Sequence, residues 1–173
     1  MNVDAILQHL NSENVDCILI GGMNFLLRHV PELTFDVDVW VRDDRDNLAR
    51  LNRSLLKLGA AWGPTEKDWK PVPQDAVWLL SQPVFCLTTN HGALDVFRDV
   101  LGLQGRYAEC KARATLSETA GGAAFWGLSD GDMLTCQLAL PEEHRRSRRI
   151  EILRAALNLK TAVDPRGDVQ RPG

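Results

Sequence analysis

The sequence predicts an α/β (α+β) domain with a helical C-terminal part. Three observations predict it. Short apolar runs such as Cys17–Ile20 and Thr34–Val41 have the length of strands, amphipathic stretches of helical period separate them, and a glycine pair, Gly21–Gly22, stands where one such run gives way to a helix. With 173 residues, 45% hydrophobic and 25% charged, the chain has enough apolar side chain for one core of ordinary size. Residues 1–160 read as one domain, and Thr161–Gly173, with Pro, Gly, charge and no apolar period, as a flexible tail.

Val3, Ile6, Leu7 and Leu10 recur at helical spacing and open the chain with a short helix that ends near Asn11–Asn14. CILI, residues 17–20, is a strand that ends at Gly21–Gly22, and Met23–Val30 is the helix that follows. Pro31 interrupts it, after which TFDVDVWV, residues 34–41, runs as a strand. Asp43–Gly59 is a second amphipathic helix with acids in its first turn, where the helix dipole favours them. Trp62–Asp75 has no period and reads as a loop. Val84–Thr88 and Gly92–Phe97 are strands, Tyr107–Leu116 suits strand or helix, and Ala123–Leu128 is a strand. Ser129 caps a helix over about Asp132–Leu140, Pro141 ends it, and Glu142–Leu159 is the last helix.

The formal net charge of -3 argues against a protein that coats nucleic acid by bulk attraction. No apolar run approaches the roughly 20 residues of a membrane span, and the acidic first residues lack the basic region of a secretion signal, so a cytoplasmic location is expected. Cys17, Cys86, Cys110 and Cys136 are scattered without a CxxC pair, which points to small core residues, with Cys110 and Cys136 as candidates for exposure.

The chemistry lies in TFDVDVWV. A strand alternates its side chains, so Asp36 and Asp38 share one face while Phe35, Val37 and Val39 take the other. Two like charges side by side repel unless a cation lies between them, and GALDVF, residues 92–97, brings a third strand carboxylate, Asp95. Three such groups can hold a pair of divalent cations about 3.5–4 Å apart, and Asp95 is the candidate for accepting a proton. Gly21–Gly22 removes two Cβ atoms at a helix start, which lets backbone N–H groups approach phosphate.

ILIGGMNFLLRHVPELTFDVDVWV with GALDVF downstream resembles the nucleotidyltransferase superfamily of the DNA polymerase β type, and within it the small bacterial minimal nucleotidyltransferases and AbiEii-like toxins. The match covers about residues 15–100. The resemblance implies the nucleotidyltransferase fold, a mixed β-sheet flanked by helices. It implies transfer of a nucleoside monophosphate from a nucleoside triphosphate such as ATP to a hydroxyl acceptor, with Mg²⁺ or Mn²⁺ in a two-metal site on Asp36, Asp38 and Asp95. Gly21, Gly22, Thr34 and Arg28 are the nucleotide-binding candidates. Such relatives often carry Arg before the Thr of the acid strand and Lys on a later helix, where this chain has Leu33 and Gln137; Arg28 or the basic final helix is the candidate replacement. The acceptor stays open among RNA, a protein side chain and a small molecule such as an aminoglycoside. A homodimer is also open. Two alternatives are a degenerate binding member of the fold without turnover and a toxin–antitoxin component acting on tRNA.

Each feature also has a plainer reading. Gly-Gly is often only a turn, and a half-exposed strand can carry Asp on its wet face. In HRRSRRIEILR, residues 144–154, Ile150 and Leu153 suit a buried face and the arginines a solvated one. His29 and His91 flank the acids in sequence, and Trp62, Trp69 and Trp78 suit either a base or the edge of the core.

Overall fold

The alternation read from the sequence becomes an eight-stranded mixed sheet in a computed structural model that describes residues 1–63 and 65–163. Most of the expected tail, residues 164–173, lies outside the described residues. The strands are β1 (Cys17–Leu19), β2 (Asp36–Val41), β3 (Ala61–Trp62), β4 (Lys70–Pro71), β5 (Val84–Thr89), β6 (Gly92–Phe97), β7 (Thr115–Glu118) and β8 (Ala124–Gly127). Their order across the sheet is β4-β3-β5-β6-β2-β1-β8-β7. β2 runs parallel to β6 and antiparallel to β1, while β5 and β6 form a hairpin.

Among the described residues six α-helices cover the sheet: α1 (Val3–Ser12), α2 (Gly21–Arg28), α3 (Arg45–Lys57), α4 (Tyr107–Arg113), α5 (Asp130–Ala139) and α6 (Ser147–Val163). Three of their starts, those of α1, α3 and α5, are fixed by side-chain caps. Asn2 accepts the Ala5 N–H, Asp44 that of Asn47 and Ser129 that of Asp132, each satisfying a donor the helix cannot pair internally.

Helices α1 and α3 place Ile6, Leu10, Leu51 and Leu55 in one buried cluster with Val37, Val39 and Val41 of β2 and Leu94 and Val96 of β6. Burying each such side chain contributes roughly 1.5–3 kcal/mol. A second cluster joins Trp40 of β2 to Phe25, Val100, Leu103, Met133 of α5 and Leu153 of α6. The alternation of β2 therefore divides as expected: valines into the first cluster, Asp36, Asp38 and Trp40 on the other face.

Several expectations change. Gly21–Gly22 form the first turn of α2 itself rather than a turn before it. Phe35 precedes β2 and is 74% exposed, so it leaves the core to Val37 and Val39. The ambiguous Tyr107–Leu116 segment resolves into α4 followed by the start of β7. The expected loop at 62–75 contributes β4 and a 3₁₀ turn, Glu66–Asp68. A separate 3₁₀ turn, Glu142–His144, precedes α6, which continues to Val163, past the expected start of the tail. Among the cysteines, Cys110 is buried and Cys86 is the exposed one. Among the described residues no helix is long and apolar enough to cross a membrane.

Candidate active site

The parallel β2–β6 ladder puts Asp38 opposite Asp95 and Asp36 opposite Ala93. Neighbours in register share a face, so the three acids converge: each offers a carboxylate oxygen within 4.8 Å of the other two, and all three are half-buried. Burial, then the charges of Asp36 and Asp95, push the Asp38 carboxyl up to about 7, although the Gly22 N–H donates to it and Arg149 lies near. Asp95 is raised as well, chiefly by burial, with Asp36 adding and Cys86 opposing. A site that pushes its own carboxyls toward protonation is one in which a bound cation relieves a real electrostatic cost.

The glycine pair and Thr34 complete this wall. Gly21 has φ +64, and a Cβ there would stand 1.9 Å from Asp38 Oδ2, so only glycine lets the carboxylate seat against the start of α2. A Cβ on Gly22 would stand 2.7 Å from Thr34 Oγ1, whose hydroxyl donates to Asp36 Oδ1 at 3.0 Å. Asp36, Asp38, Asp95, Gly21, Gly22 and Thr34 are thus brought together.

Arg28 is not brought to them. Its guanidinium pairs with the buried Asp130 at 3.0 Å and donates to the Leu128 carbonyl, because α2 carries it toward the N-terminus of α5. His29 Nε2 meets the same Asp130 oxygen, and His91 packs its ring near His9. Gln137 is buried on α5 and accepts the Arg146 N–H, while Leu33 is 74% exposed.

The cation beside the acids is Arg149 of α6. It is buried, lies over the Phe25 ring at 5.0 Å, is held by Glu32 and has Nη2 3.7 Å from the position a Gly22 Cβ would take. Burial works against the Glu32 carboxyl, yet Arg149 and Arg146 hold it below the usual range. Of the basic run, the sequence did carry a signal for this residue: Arg149 lies four before Leu153, on the apolar stripe of α6.

Cys86 was also missed. The two-residue connection Asn90–His91 fixes the β5–β6 register and puts Cys86 opposite Asp95, to which its thiol donates at 3.4 Å. Partial burial and the acids, Asp95 first, push that thiol up to about 11, so it stays S–H.

Two clefts border the triad. One, of about 260 Å³, is lined by Asp38 and Arg149 beside Phe97, Leu128, Met133 and Gln137. The other, of about 570 Å³, begins at Cys86 and extends to Trp69. Trp62 and Trp78 pack on Phe85, and the Trp78 Nε1–H donates to Asn52, so these two close the core edge.

No family model matches the chain, and no curated protein matches it. Among solved structures it is similar to a candidate nucleotidyltransferase from Thermotoga maritima, with 18% identity, 89% of each chain covered and a TM-score of 0.48. It is similar to the antibiotic-resistance factor ANT(2'')-Ia, with 15% identity, 92% of this chain and 91% of that one covered and a TM-score of 0.48. JHP933 from Helicobacter pylori matches with 14% identity over 89% of this chain and 62% of its own, with a TM-score of 0.40.

Proposed function

We propose that the domain transfers a nucleoside monophosphate from a nucleoside triphosphate to a hydroxyl acceptor, with Asp36, Asp38 and Asp95 holding Mg²⁺ or Mn²⁺. The observation that carries this reading is the triad: three carboxylates from two adjacent parallel strands, with oxygens within 4.8 Å of one another. All donors are hard oxygens, the set that suits these ions. When bound, the ions would neutralise the carboxylates and the phosphate charge and act as Lewis acids.

The chain's own residues supply the rest. Gly21 and Gly22 leave space for phosphate beside the start of α2, and Arg149 gives it a buried positive partner. The apolar cleft next to Asp38 receives the nucleoside. The acceptor oxygen then bonds to the α-phosphorus, the bond from that phosphorus to the β-bridging oxygen breaks, pyrophosphate leaves, and Asp95 takes the hydroxyl proton.

A test that needs no acceptor is thermal stability with each nucleoside triphosphate, with and without Mg²⁺, beside an Asp36→Asn/Asp38→Asn variant. A Mg²⁺-dependent rise that the variant lacks is expected. A rise of equal size in the variant, or none with any nucleotide, would remove the triad from nucleotide binding. A second reading, a nucleotide-binding module without turnover, is favoured by the uncharged Leu33 and by Gln137, which is engaged by the Arg146 N–H. Nucleotide-dependent stabilisation with no pyrophosphate released in the presence of acceptors would select it.

A further inference from the structure

The cleft that begins at Cys86 shares no lining residue with the one beside Asp38 and Arg149, and its position suggests what it does. Asp38, Asp95 and Cys86 stand opposite one another across β2, β6 and β5. β5 pairs with β3 through Ala61↔Thr88, and β3 with β4 through Ala61↔Pro71 and Trp62↔Lys70. The same registers continued bring Gly63 opposite Cys86 and Trp69 opposite Gly63. One row thus crosses the sheet from the acids to Trp69, three strand spacings from Asp95, or roughly 14 Å. Gly63 has no side chain, and the backbone of Asp68 and Trp69 closes over it, with Asp68 O 2.5 Å and Trp69 N 2.9 Å from where a Cβ would stand, so only glycine fits at this point of the row.

The lining defines the chemistry. Trp69 is 37% exposed, Thr65 carries a hydroxyl, and the Gln82 amide is held by the Val84 carbonyl at 2.6 Å. Among the described residues that line the cleft, none is charged. At its rim Asp68 accepts the Thr65 hydroxyl at 2.7 Å, with Lys67 and Lys70 on either side of it in sequence; Lys70 pairs with Trp62. A polyanion would need a track of cations here, and a polycation a track of carboxylates. An aromatic ring beside neutral hydrogen-bonding groups instead suits a ring with apolar C–H faces and many hydroxyls.

We propose that this cleft is the acceptor subsite and that the acceptor is a neutral glycoside of at least two rings, one on Trp69 and the other presenting a hydroxyl past Cys86 to the triad. The transfer rests on the nucleotidyltransferase reading above; the binding does not. In the reaction a C–O–P bond forms at that hydroxyl, the bond between the α-phosphorus and the β-bridging oxygen breaks, pyrophosphate leaves, and the proton goes to Asp95.

The experiment is a tryptophan-fluorescence titration with maltose, cellobiose and lactose, beside kanamycin and a short single-stranded RNA as charged contrasts. It uses wild-type protein, Trp69→Ala and Trp69→Phe, and the nucleotide thermal shift is measured on the same samples. We expect a saturable change with at least one disaccharide, half-saturation about three- to tenfold weaker in Trp69→Ala and largely restored in Trp69→Phe. The Mg²⁺-nucleotide shift should be equal in all three proteins. Label from an α-³²P nucleoside triphosphate should move onto the disaccharide that binds. Absence of any saturable disaccharide signal while the nucleotide shift persists would overturn the subsite and leave the nucleotide reading standing. Saturation by kanamycin or RNA alone would overturn the acceptor class. Disaccharide binding that depends on Trp69, with no nucleotide shift, would support the subsite and break the nucleotide reading instead.

Discussion

Two groups of charge lie on the same side of the sheet and are built on opposite terms. At Asp36, Asp38 and Asp95, like charges converge, with the Gly22 N–H, the Thr34 hydroxyl and the Cys86 thiol as hydrogen-bond partners and Arg149 nearby. Along α2, α5 and α6, opposite charges meet: Arg28 with Asp130, and Arg146 and Arg149 with Glu32. The second arrangement is how a fold holds its parts together. The first works against the fold, because burial and mutual repulsion both raise the cost of keeping its carboxylates charged.

The sharpest way to break this contrast is to remove a charge from each group. Asp130→Ala leaves Arg28 beside a buried position with no carboxylate, which should lower stability by about 3–5 kcal/mol in urea unfolding. A cost below about 1 kcal/mol would mean that the paired group is dispensable. Gly21→Ala combines an unfavourable φ with a Cβ that would meet the Asp38 carboxylate, and should cost about 2 kcal/mol while removing metal-dependent stabilisation.

Asp38→Asn should act in the other direction. In protein freed of metal by EDTA, the folded state keeps the Asp38 proton up to about pH 7, whereas the unfolded chain releases it near the ordinary carboxylate value. Between those two values the folded state binds more protons, so stability falls as pH rises through that window. The variant should lose this slope and gain about 1–2 kcal/mol at pH 8. An unchanged slope would mean that burial and the neighbouring acids do not hold the proton on Asp38. The smallest effect is expected for Leu33→Arg: at an exposed position stability should move by less than about 0.5 kcal/mol, while nucleotide affinity rises in a salt-dependent way.

The parts of the site that were legible in the sequence are those that depend on a single period. Alternation along β2 is enough to put Asp36 and Asp38 on one face, and the strand GALDVF is enough to supply Asp95. Arg28 misled because a cation close in sequence to the glycines is carried by nearly two turns of α2 toward Asp130. Arg149 could be singled out among the five arginines of its run by its place four before Leu153, but its approach to the acids depends on how α6 packs against Phe25. Phe35 looked like core because the strand was read two residues too long; the ladder starts at Asp36, where β6 begins to pair with it.

The β2–β6 register has a consequence for insertions and deletions. All three carboxylates face the same way only because 36, 38 and 95 keep their parity along paired strands. Substitution can remove the acids one at a time, each by a small step. A single residue gained or lost between Thr34 and Asp36 would leave the strand itself intact, but one placed between Asp36 and Asp38 would send one carboxylate toward the valine cluster. Length changes inside that short stretch are therefore tolerated only in twos, so over evolutionary time the site can be erased gradually but relocated only by a jump.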